Sequence, residues 1–310
     1  MGYQRAEGPV VGEQVRRRLP VGAEIVPGGV HFRVWAPAAH RATVVTAHGE
    51  IELMAEAEGY FSLFVSDLPD DAAYRFRFDD GEPCSDPASR FQPDGPLGPS
   101  RVVDPTSFEW TDDAWQGPAR EGQVLYEMHI GTFTPEGTYR AAMERLPDLV
   151  DVGITLLEVM PLHDFGGSFG WGYDGVCLFA PTRLYGEPDE LRAFVDRAHA
   201  LGLGVILDVV YNHLGPVGNF IPSYAPTAFS DRHTTDWGAP WNFDGPGCGP
   251  PREFILANAV YWITEFHLDG FRIDATQAIF DDAIGHRHIL TELTEACREA
   301  AGPRQLYIVG

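Results

Sequence analysis

After Gln123 the chain alternates apolar runs of strand length with amphipathic runs of helix length, and this rhythm constrains the fold more than any other feature of the sequence. The strand-like runs are apolar throughout, which is typical of strands buried on both faces of a parallel sheet. The predicted strands are residues 124–130, 154–160, 204–210, 270–275 and 305–309, and the predicted helices between them are residues 138–152, 188–201, 252–267 and 283–301. This alternation predicts a parallel α/β sheet.

Two connections in this region, residues 161–187 and 211–251, are far longer than the roughly two to six residues common in α/β units. Both follow the carboxyl end of a predicted strand, where a (β/α)8 barrel builds its active site. A closed barrel needs eight strands and about 250 residues, whereas residues 124–310 provide five predicted strands. We therefore expect an incomplete (β/α)8 TIM barrel of about the first five strands, in a chain that stops early.

The first part of the chain has a different pattern, with short runs that alternate apolar and polar residues, such as residues 30–35 and 60–65. Alternation with a period of two and frequent turns predicts a small β-sandwich. Residues 80–105 are rich in Gly, Pro, Asp and Ser, which is typical of a linker or a wrapping segment. The predicted organisation is an N-terminal extension at residues 1–21, a sandwich at residues 22–106, and part of a catalytic barrel at residues 107–310.

Charge and composition limit the partners. The 22 basic residues are all Arg and face 45 acidic residues, giving a net charge of −23. This charge disfavours nucleic acid and membrane surfaces as partners, and the lack of Lys excludes Schiff-base and phosphate-loop chemistry. Cysteines stand at positions 84, 177, 248 and 297 without metal-binding spacing, so we expect free thiols, a cytoplasmic location and no cofactor. The sequence does not define an oligomeric state.

Polar residues appear at the carboxyl ends of two apolar strands, where their desolvation is costly unless they are paired or functional. The third strand ends in Asp208 and continues to His213, and the fourth contains Arg272 and Asp274. Since Arg272 and Asp274 are two residues apart, they share one face of a strand, and the guanidinium favours the ionised carboxylate that a nucleophile requires. The alternative is a purely structural Arg–Asp pair. The spacing of Asp208 and His213 does not fit zinc, and we expect no metal site.

The loop after the second strand contains Trp171 and Tyr173 between glycines. Aromatic rings in a polar loop suit the apolar faces of sugar rings, although such rings also anchor loops to a core. We therefore expect Trp171 and Tyr173 to contact substrate.

Together, residues 208–213 (Asp-Val-Val-Tyr-Asn-His) and 270–275 (Gly-Phe-Arg-Ile-Asp-Ala) resemble the first two signature regions of the alpha-amylase family of glycoside hydrolases. The wider likeness, from about residue 22 to residue 310, is to the malto-oligosyltrehalose trehalohydrolases of that family. It is carried by residues 86–93, 126–133, 171–175 and 212–219. Residues 32–37 resemble the opening strand of the starch-binding-like sandwich that precedes the barrel in that family.

The resemblance implies a role for each matching residue. Asp274 would be the nucleophile that forms a β-glycosyl-enzyme, and Arg272 would hold it ionised. Asp208, His213 and Tyr173 would bind the sugar at the point of cleavage. Gln277 stands where the trehalohydrolases often carry His, on the side of the leaving group. The implied reaction is retaining hydrolysis of the α-1,4 bond next to the terminal trehalose of a malto-oligosyltrehalose.

The resemblance also implies that two catalytic carboxyl groups of the family lie outside residues 1–310. The family's general acid is a Glu at the end of the fifth strand, which we expect directly after Gly310, and the third carboxylate lies on a later strand. Because the general acid contributes on the order of 10² to 10⁴ in rate, we expect residues 1–310 alone to be inactive. Two alternatives remain, namely a branching or debranching enzyme of the same family and a non-catalytic glucan-binding protein.

Overall fold

A computed structural model describes residues 17–282, residue 285 and residues 287–310. Most of the predicted N-terminal extension and the start of the predicted helix at residues 283–301 therefore lie outside the described residues.

The first region is a β-sandwich, as predicted. Its strands are β1 (Gly22–Val26), β2 (Gly29–Trp35), β3 (Ala42–Thr46), β4 (Gly49–Glu52), β5 (Met54–Ala55), β6 (Tyr60–Ser66), β7 (Ala73–Phe78) and β8 (Ser100–Arg101). They form two antiparallel sheets, with orders β1-β2-β6-β5 and β4-β3-β7-β8. Alternate residues of β2 point inward, and the ring of Phe32 packs edge-on against Tyr74 and Phe76 of the other sheet.

The segment of residues 80–105 wraps around the sandwich and packs tightly against it. Cys84 exchanges two backbone hydrogen bonds with Phe76, and the buried carboxylate of Asp86 accepts a hydrogen bond from Tyr74 Oη at 2.7 Å. Burial raises the pKa of Asp86 above its usual value. Of the two predicted alternatives for this segment, the wrapping segment is correct.

The second region contains strands β9 (Leu125–Met128), β10 (Leu156–Val159), β11 (His163–Asp164), β12 (Cys177–Pro181), β13 (Gly204–Val209), β14 (Gly270–Ile273) and β15 (Tyr307–Val309). Its helices are α1 (Ile130–Phe133), α2 (Tyr139–Asp151), α3 (Pro188–Ala200), α4 (Ile221–Tyr224), α5 (Gly249–Glu265) and α6 (Ile289–Ala301). Strands β11 and β12 form a small hairpin beside the main sheet.

The main sheet has five parallel strands in the order β9-β10-β13-β14-β15, which is also their order along the chain. A doubly wound sheet reverses its strand order at a switch point, whereas a (β/α)8 barrel adds each strand beside the last. The predicted fold, a sandwich followed by an incomplete barrel of five strands, is confirmed.

The structure refines the predicted element boundaries. Helix α5 begins three residues before the predicted start, because Pro250 and Pro251 lie in its first turn, where the missing N–H groups cost nothing. Helix α2 begins after Thr138, whose side chain accepts a hydrogen bond from the backbone of Ala141. Gly153, near the end of this helix, has a positive φ, as expected of a helix stop.

A charged network seals the amino-terminal end of the sheet. The imidazole of His199 on α3 lies between Asp112, at 2.8 Å from Nδ1, and Asp269, at 3.0 Å from Nε2. Burial disfavours the imidazolium, but hydrogen bonds to the two carboxylates outweigh it and raise the pKa of His199. Burial is likewise outweighed at Asp112, where hydrogen bonds from His199 and His267 lower the pKa. The network fixes the segment before β9 to the sheet.

Within the part of the chain that the structure describes, no helix is both long and apolar enough to span a bilayer. All four cysteines are free thiols, as predicted.

Candidate active site

Two neighbouring strands bring the predicted catalytic groups together. Strands β13 and β14 are paired so that Asp208 stands directly beside Arg272. The Nη1 atom of Arg272 lies 2.9 Å from Asp208 Oδ2, 3.1 Å from Asp208 Oδ1 and 2.7 Å from Asp274 Oδ1. One guanidinium nitrogen therefore binds two carboxylates at the carboxyl end of the sheet, where the sequence places the active site.

The two carboxylates differ in exposure. The side chain of Asp208 is 1% exposed, whereas that of Asp274 is 22% exposed. Burial raises the pKa of Asp208 to about 7, although hydrogen bonds from Tyr173 and Arg272 oppose this shift. Burial lowers the pKa of Arg272, but the charge of Asp208 outweighs it, so the pKa of Arg272 lies above its usual value. Because Asp274 is the more exposed of the two, it is the carboxylate that a substrate is able to reach.

The backbone around Asp274 is held on both sides. Its N–H donates to the carbonyl of Val209 at 2.9 Å, and the next residue, Ala275, has a left-handed conformation with φ of 43°. This conformation costs a non-glycine residue about 1–2 kcal/mol. Such strain is common at functional sites, where the surrounding structure maintains it.

The loop after β10 places Tyr173 over this cluster. Its hydroxyl donates to Asp208 Oδ2 at 2.9 Å. The preceding Gly172 has a φ of 91°, and a Cβ there would lie 2.1 Å from the carbonyl oxygen of Pro161. A Cβ at Gly215, in the loop after β13, would lie 2.0 Å from the carbonyl oxygen of Asp174. Close backbone contacts that only glycine permits therefore fix the position of Tyr173.

The remaining predicted residues lie around this cluster. His213 is buried, its Nδ1 donates to Asn212 Oδ1 at 2.5 Å, and burial lowers its pKa, so the ring is neutral at pH 7. Trp171 is 73% exposed on the loop after β10, and Gln277 is exposed in the turn Thr276–Ala278. The structure thus joins Asp208, Arg272, Asp274 and Tyr173 directly. It places the other three residues on neighbouring loops.

Sequence reasoning missed His129, which directly follows β9. Its Nε2 lies 2.9 Å from the carbonyl oxygen of Gly170 and 3.2 Å from the hydroxyl of Tyr185. His129 therefore anchors the loop that carries Trp171 and Tyr173. The sequence feature that could have identified His129 is its position directly after a barrel strand, at the carboxyl end. The same criterion identified Asp208.

Among the described residues, one group has the atoms for a metal site: His233, Asp244 and Asp282. However, Asp244 Oδ2 is already surrounded by donors, namely His233 Nε2 at 3.0 Å, Arg232 Nη1 at 3.2 Å and the backbone N–H of Asp282 at 3.3 Å. This group joins the loops after β13 and β14 by hydrogen bonds.

The chain matches two protein families. Residues 77–245, more than half of the chain, match the family described as alpha amylase, catalytic domain. Residues 20–105 match carbohydrate-binding module 48, the isoamylase N-terminal domain.

Named relatives are also similar to the chain. Malto-oligosyltrehalose trehalohydrolase of Deinococcus radiodurans is 45% identical over 93% of this chain and 47% of the relative. The enzyme of the same name from Saccharolobus solfataricus is 42% identical over 89% of this chain and 49% of the relative. The chain therefore spans about half the length of these curated relatives.

A solved structure has the same architecture. It is described as a putative alpha amylase from Salmonella typhimurium, and it superposes with a TM-score of 0.89 and 43% identity over 94% of this chain and 49% of that one. With the cluster of Arg272, Asp208 and Asp274 and the two family matches, these similarities show that the chain belongs to the alpha-amylase family.

Proposed function

We propose that the whole protein containing these residues is a retaining glycoside hydrolase that releases trehalose from malto-oligosyltrehalose. The bond cleaved is the α-1,4-glucosidic bond next to the terminal trehalose. The observation that carries the proposal is the bridging of Asp208 and Asp274 by one nitrogen of Arg272 at the rim of the sheet. The names of the similar proteins support the choice of substrate.

In this proposal Asp274 is the nucleophile. Its partly exposed carboxylate attacks the anomeric carbon of the glucan, and the bond from that carbon to O4 of trehalose breaks. Arg272 Nη1 donates to this carboxylate at 2.7 Å and orients it for the attack. Retention requires a second carboxyl group about 5–5.5 Å away, which first protonates the departing O4 and then takes a proton from the attacking water.

Asp208 has a supporting role in this proposal. Because its side chain is almost fully buried and accepts from both Arg272 and Tyr173, it positions these two residues. His213, Trp171 and Gln277 lie on the neighbouring loops and are the proposed contacts with sugar hydroxyls and ring faces. Through these contacts a neutral carbohydrate meets both polar groups and aromatic ring faces.

We also propose a division of labour between residues 22–106 and 107–310, in which the sandwich supports the catalytic region. Tyr224, in the loop after β13, accepts a backbone hydrogen bond from Ala38 at 3.0 Å, and its ring packs 4.0 Å from that of Phe78. Tyr60 donates to Glu253 of α5 at 2.6 Å.

The free cysteines support a cytoplasmic location for the protein.

The test is product analysis with the whole protein and maltotriosyltrehalose. We expect trehalose and maltotriose, with maltotriose appearing first as the α-anomer by NMR. Maltopentaose, which has no trehalose end, is the matched control and yields no trehalose. A protein that leaves maltotriosyltrehalose intact but forms α-1,6 branches in amylose, or cleaves pullulan, would instead be a branching or debranching enzyme.

The Tyr173→Phe variant tests the electrostatic part of the site. The pKa of Asp208 is about 7. The Tyr173 hydroxyl donates a hydrogen bond to Asp208 and so stabilises the ionised form of this carboxyl group. Loss of this bond raises the pKa of Asp208, and a protonated Asp208 no longer supplies the negative charge that pairs with Arg272. We expect the acidic limb of kcat/KM against pH to move up by about one unit.

The control for this variant is Tyr126→Phe, which removes a hydroxyl from a partly exposed tyrosine on β9. Its pH profile should match that of the unmodified protein. An acidic limb that stays in place in Tyr173→Phe would show that Asp208 does not govern the profile.

A further inference from the structure

We call residues 165–176, which join β11 to β12 and carry Trp171 and Tyr173, the hairpin loop. Five of its twelve residues are glycine. Glycine loses more conformational freedom on folding than any other residue, so such a loop keeps one conformation only if other segments hold it. The Tyr173 hydroxyl nevertheless lies 2.9 Å from Asp208 Oδ2. The position of Tyr173 therefore depends on the contacts that the hairpin loop makes with its surroundings.

Arg183, which follows β12, holds the first part of the hairpin loop. Its Nη1 atom donates to Asp164 Oδ1 at 2.9 Å and to the carbonyl of Phe165 at 3.3 Å. Its Nη2 atom donates to the carbonyl of Gly167 at 2.9 Å. The side chain of Asp164 is fully buried, and burial raises its pKa to about 6, although the charge of Arg183 opposes this shift. The guanidinium thus joins the end of β11 to two carbonyls of the loop.

A second contact holds the hairpin loop close to Tyr173. The carbonyl oxygen of Gly170 lies 2.9 Å from Nε2 of His129, and the same nitrogen lies 3.2 Å from the hydroxyl of Tyr185. The two rings pack edge to face, with centroids 5.7 Å apart. A Cβ at Gly131 would lie 2.7 Å from the ring of Tyr185 and 3.0 Å from that of His129, so the backbone packs against both rings. The imidazole is therefore fixed where it holds Gly170.

The two contacts come from different connections of the fold. His129 follows β9, whereas Arg183 lies between β12 and α3. Between Gly170 and Tyr173, the close approach of Gly172 to the backbone of Pro161 continues the support. The hairpin loop is thus held at both of its ends and beside the residue that bonds to Asp208.

We infer that Arg183 and His129 are positioning residues of the active site. By holding carbonyls of the hairpin loop, they keep the Tyr173 hydroxyl within hydrogen-bonding distance of Asp208. The inference rests on the proposed function and adds two residues on which that activity depends. Both residues act through Tyr173 rather than on the substrate.

The first measurement is hydrogen–deuterium exchange of the whole protein, read by mass spectrometry in peptides that contain residues 165–176. The variants are Arg183→Lys and His129→Leu. A lysine keeps its charge beside Asp164, but its single nitrogen does not span Asp164 and Gly167 as two guanidinium nitrogens do. We expect exchange in the hairpin loop to become about tenfold faster in both variants.

The matched controls make the same chemical changes at exposed positions. Arg145→Lys alters an arginine of α2 whose salt bridge to Asp148 lies at the surface, and His48→Leu alters an exposed histidine of the sandwich. Neither control should change exchange in the hairpin loop. Thermal unfolding curves confirm that every variant folds.

The second measurement is kcat with maltotriosyltrehalose. We expect a decrease of about tenfold in His129→Leu and about fivefold in Arg183→Lys. His129→Gln has a side-chain N–H group that is able to donate to Gly170, and it should recover most of the loss. Combination of His129→Leu with Tyr173→Phe should lower kcat by less than the product of the two single effects, because both act through one hydroxyl.

Unchanged exchange in either variant, or an equal rise in its control, would overturn the inference. So would no recovery in His129→Gln, or fully multiplicative effects of His129→Leu and Tyr173→Phe on kcat. Failure of the proposed function is distinguishable from these outcomes. If the whole protein releases no trehalose but exchange in the hairpin loop still rises in both variants, the positioning contacts stand and only the assigned reaction is wrong.

Discussion

Replacement of Asp274 by asparagine is expected to lower trehalose release by on the order of 10⁴-fold or more, because the amide is not a nucleophile and no covalent intermediate forms. The amide still accepts a hydrogen bond from Arg272 through its oxygen, so the local structure and KM should change little. The measurement is kcat of the whole protein with maltotriosyltrehalose, together with a thermal unfolding curve that confirms folding.

Asp231→Asn is a suitable control, since it makes the same chemical change at an exposed position of the loop after β13. Its kcat should equal that of the unmodified protein. A second observation strengthens the assignment: addition of azide should restore turnover in a smaller Asp274→Ala variant, with a β-glycosyl azide as product. An Asp274→Asn protein that retains a tenth of the original kcat would contradict the nucleophile assignment.

The largest expected effect on stability is that of His199→Leu. The imidazole lies between the carboxylates of Asp112 and Asp269, and its removal leaves two buried negative charges without their shared donor. Removal of one partner from a buried charged pair typically costs about 3–5 kcal/mol in the free energy of unfolding. The measurement is urea unfolding of the 310-residue chain, compared with Arg197→Leu, an exposed position on the same helix, which should change stability by less than about 0.5 kcal/mol.

The effect of His199 depends on pH in a defined direction. The pKa of His199 is raised in the folded state. Its contribution to the free energy of unfolding is therefore fully present when the pH is below about 6.5, the pKa of histidine in the unfolded chain. The contribution is then lost as pH rises through the folded-state pKa. The stability difference between the unmodified chain and His199→Leu should therefore be largest at mildly acidic pH and shrink in alkaline solution. A difference that grows with pH would mean that His199 is neutral in the fold.

Much of the site could be predicted from local sequence, because the geometry of a strand determines on which side of the sheet each of its side chains lies. Arg272 in β14 and Asp274 directly after it are two residues apart, so both side chains lie on the same side of the sheet, and Arg272 donates a hydrogen bond to Asp274 at 2.7 Å. Polar residues at the end of an apolar strand identified Asp208 for the same reason. His129 satisfied this criterion as well, but its function depends on Gly170, which lies 41 residues away, and periodicity carries no information about such contacts.

By itself, the sequence determined the order of the elements, the parallel sheet and the end of the sheet that carries the polar residues, because apolar periodicity and strand alternation are local properties. Only the tertiary structure decided that one nitrogen of Arg272 serves both Asp208 and Asp274. It also decided that Trp237 is exposed while Trp241 is buried, although both occupy the same loop. The physical reason is that strand register and loop packing depend on contacts between distant segments, which fix exposure and charge pairing only when the chain is folded.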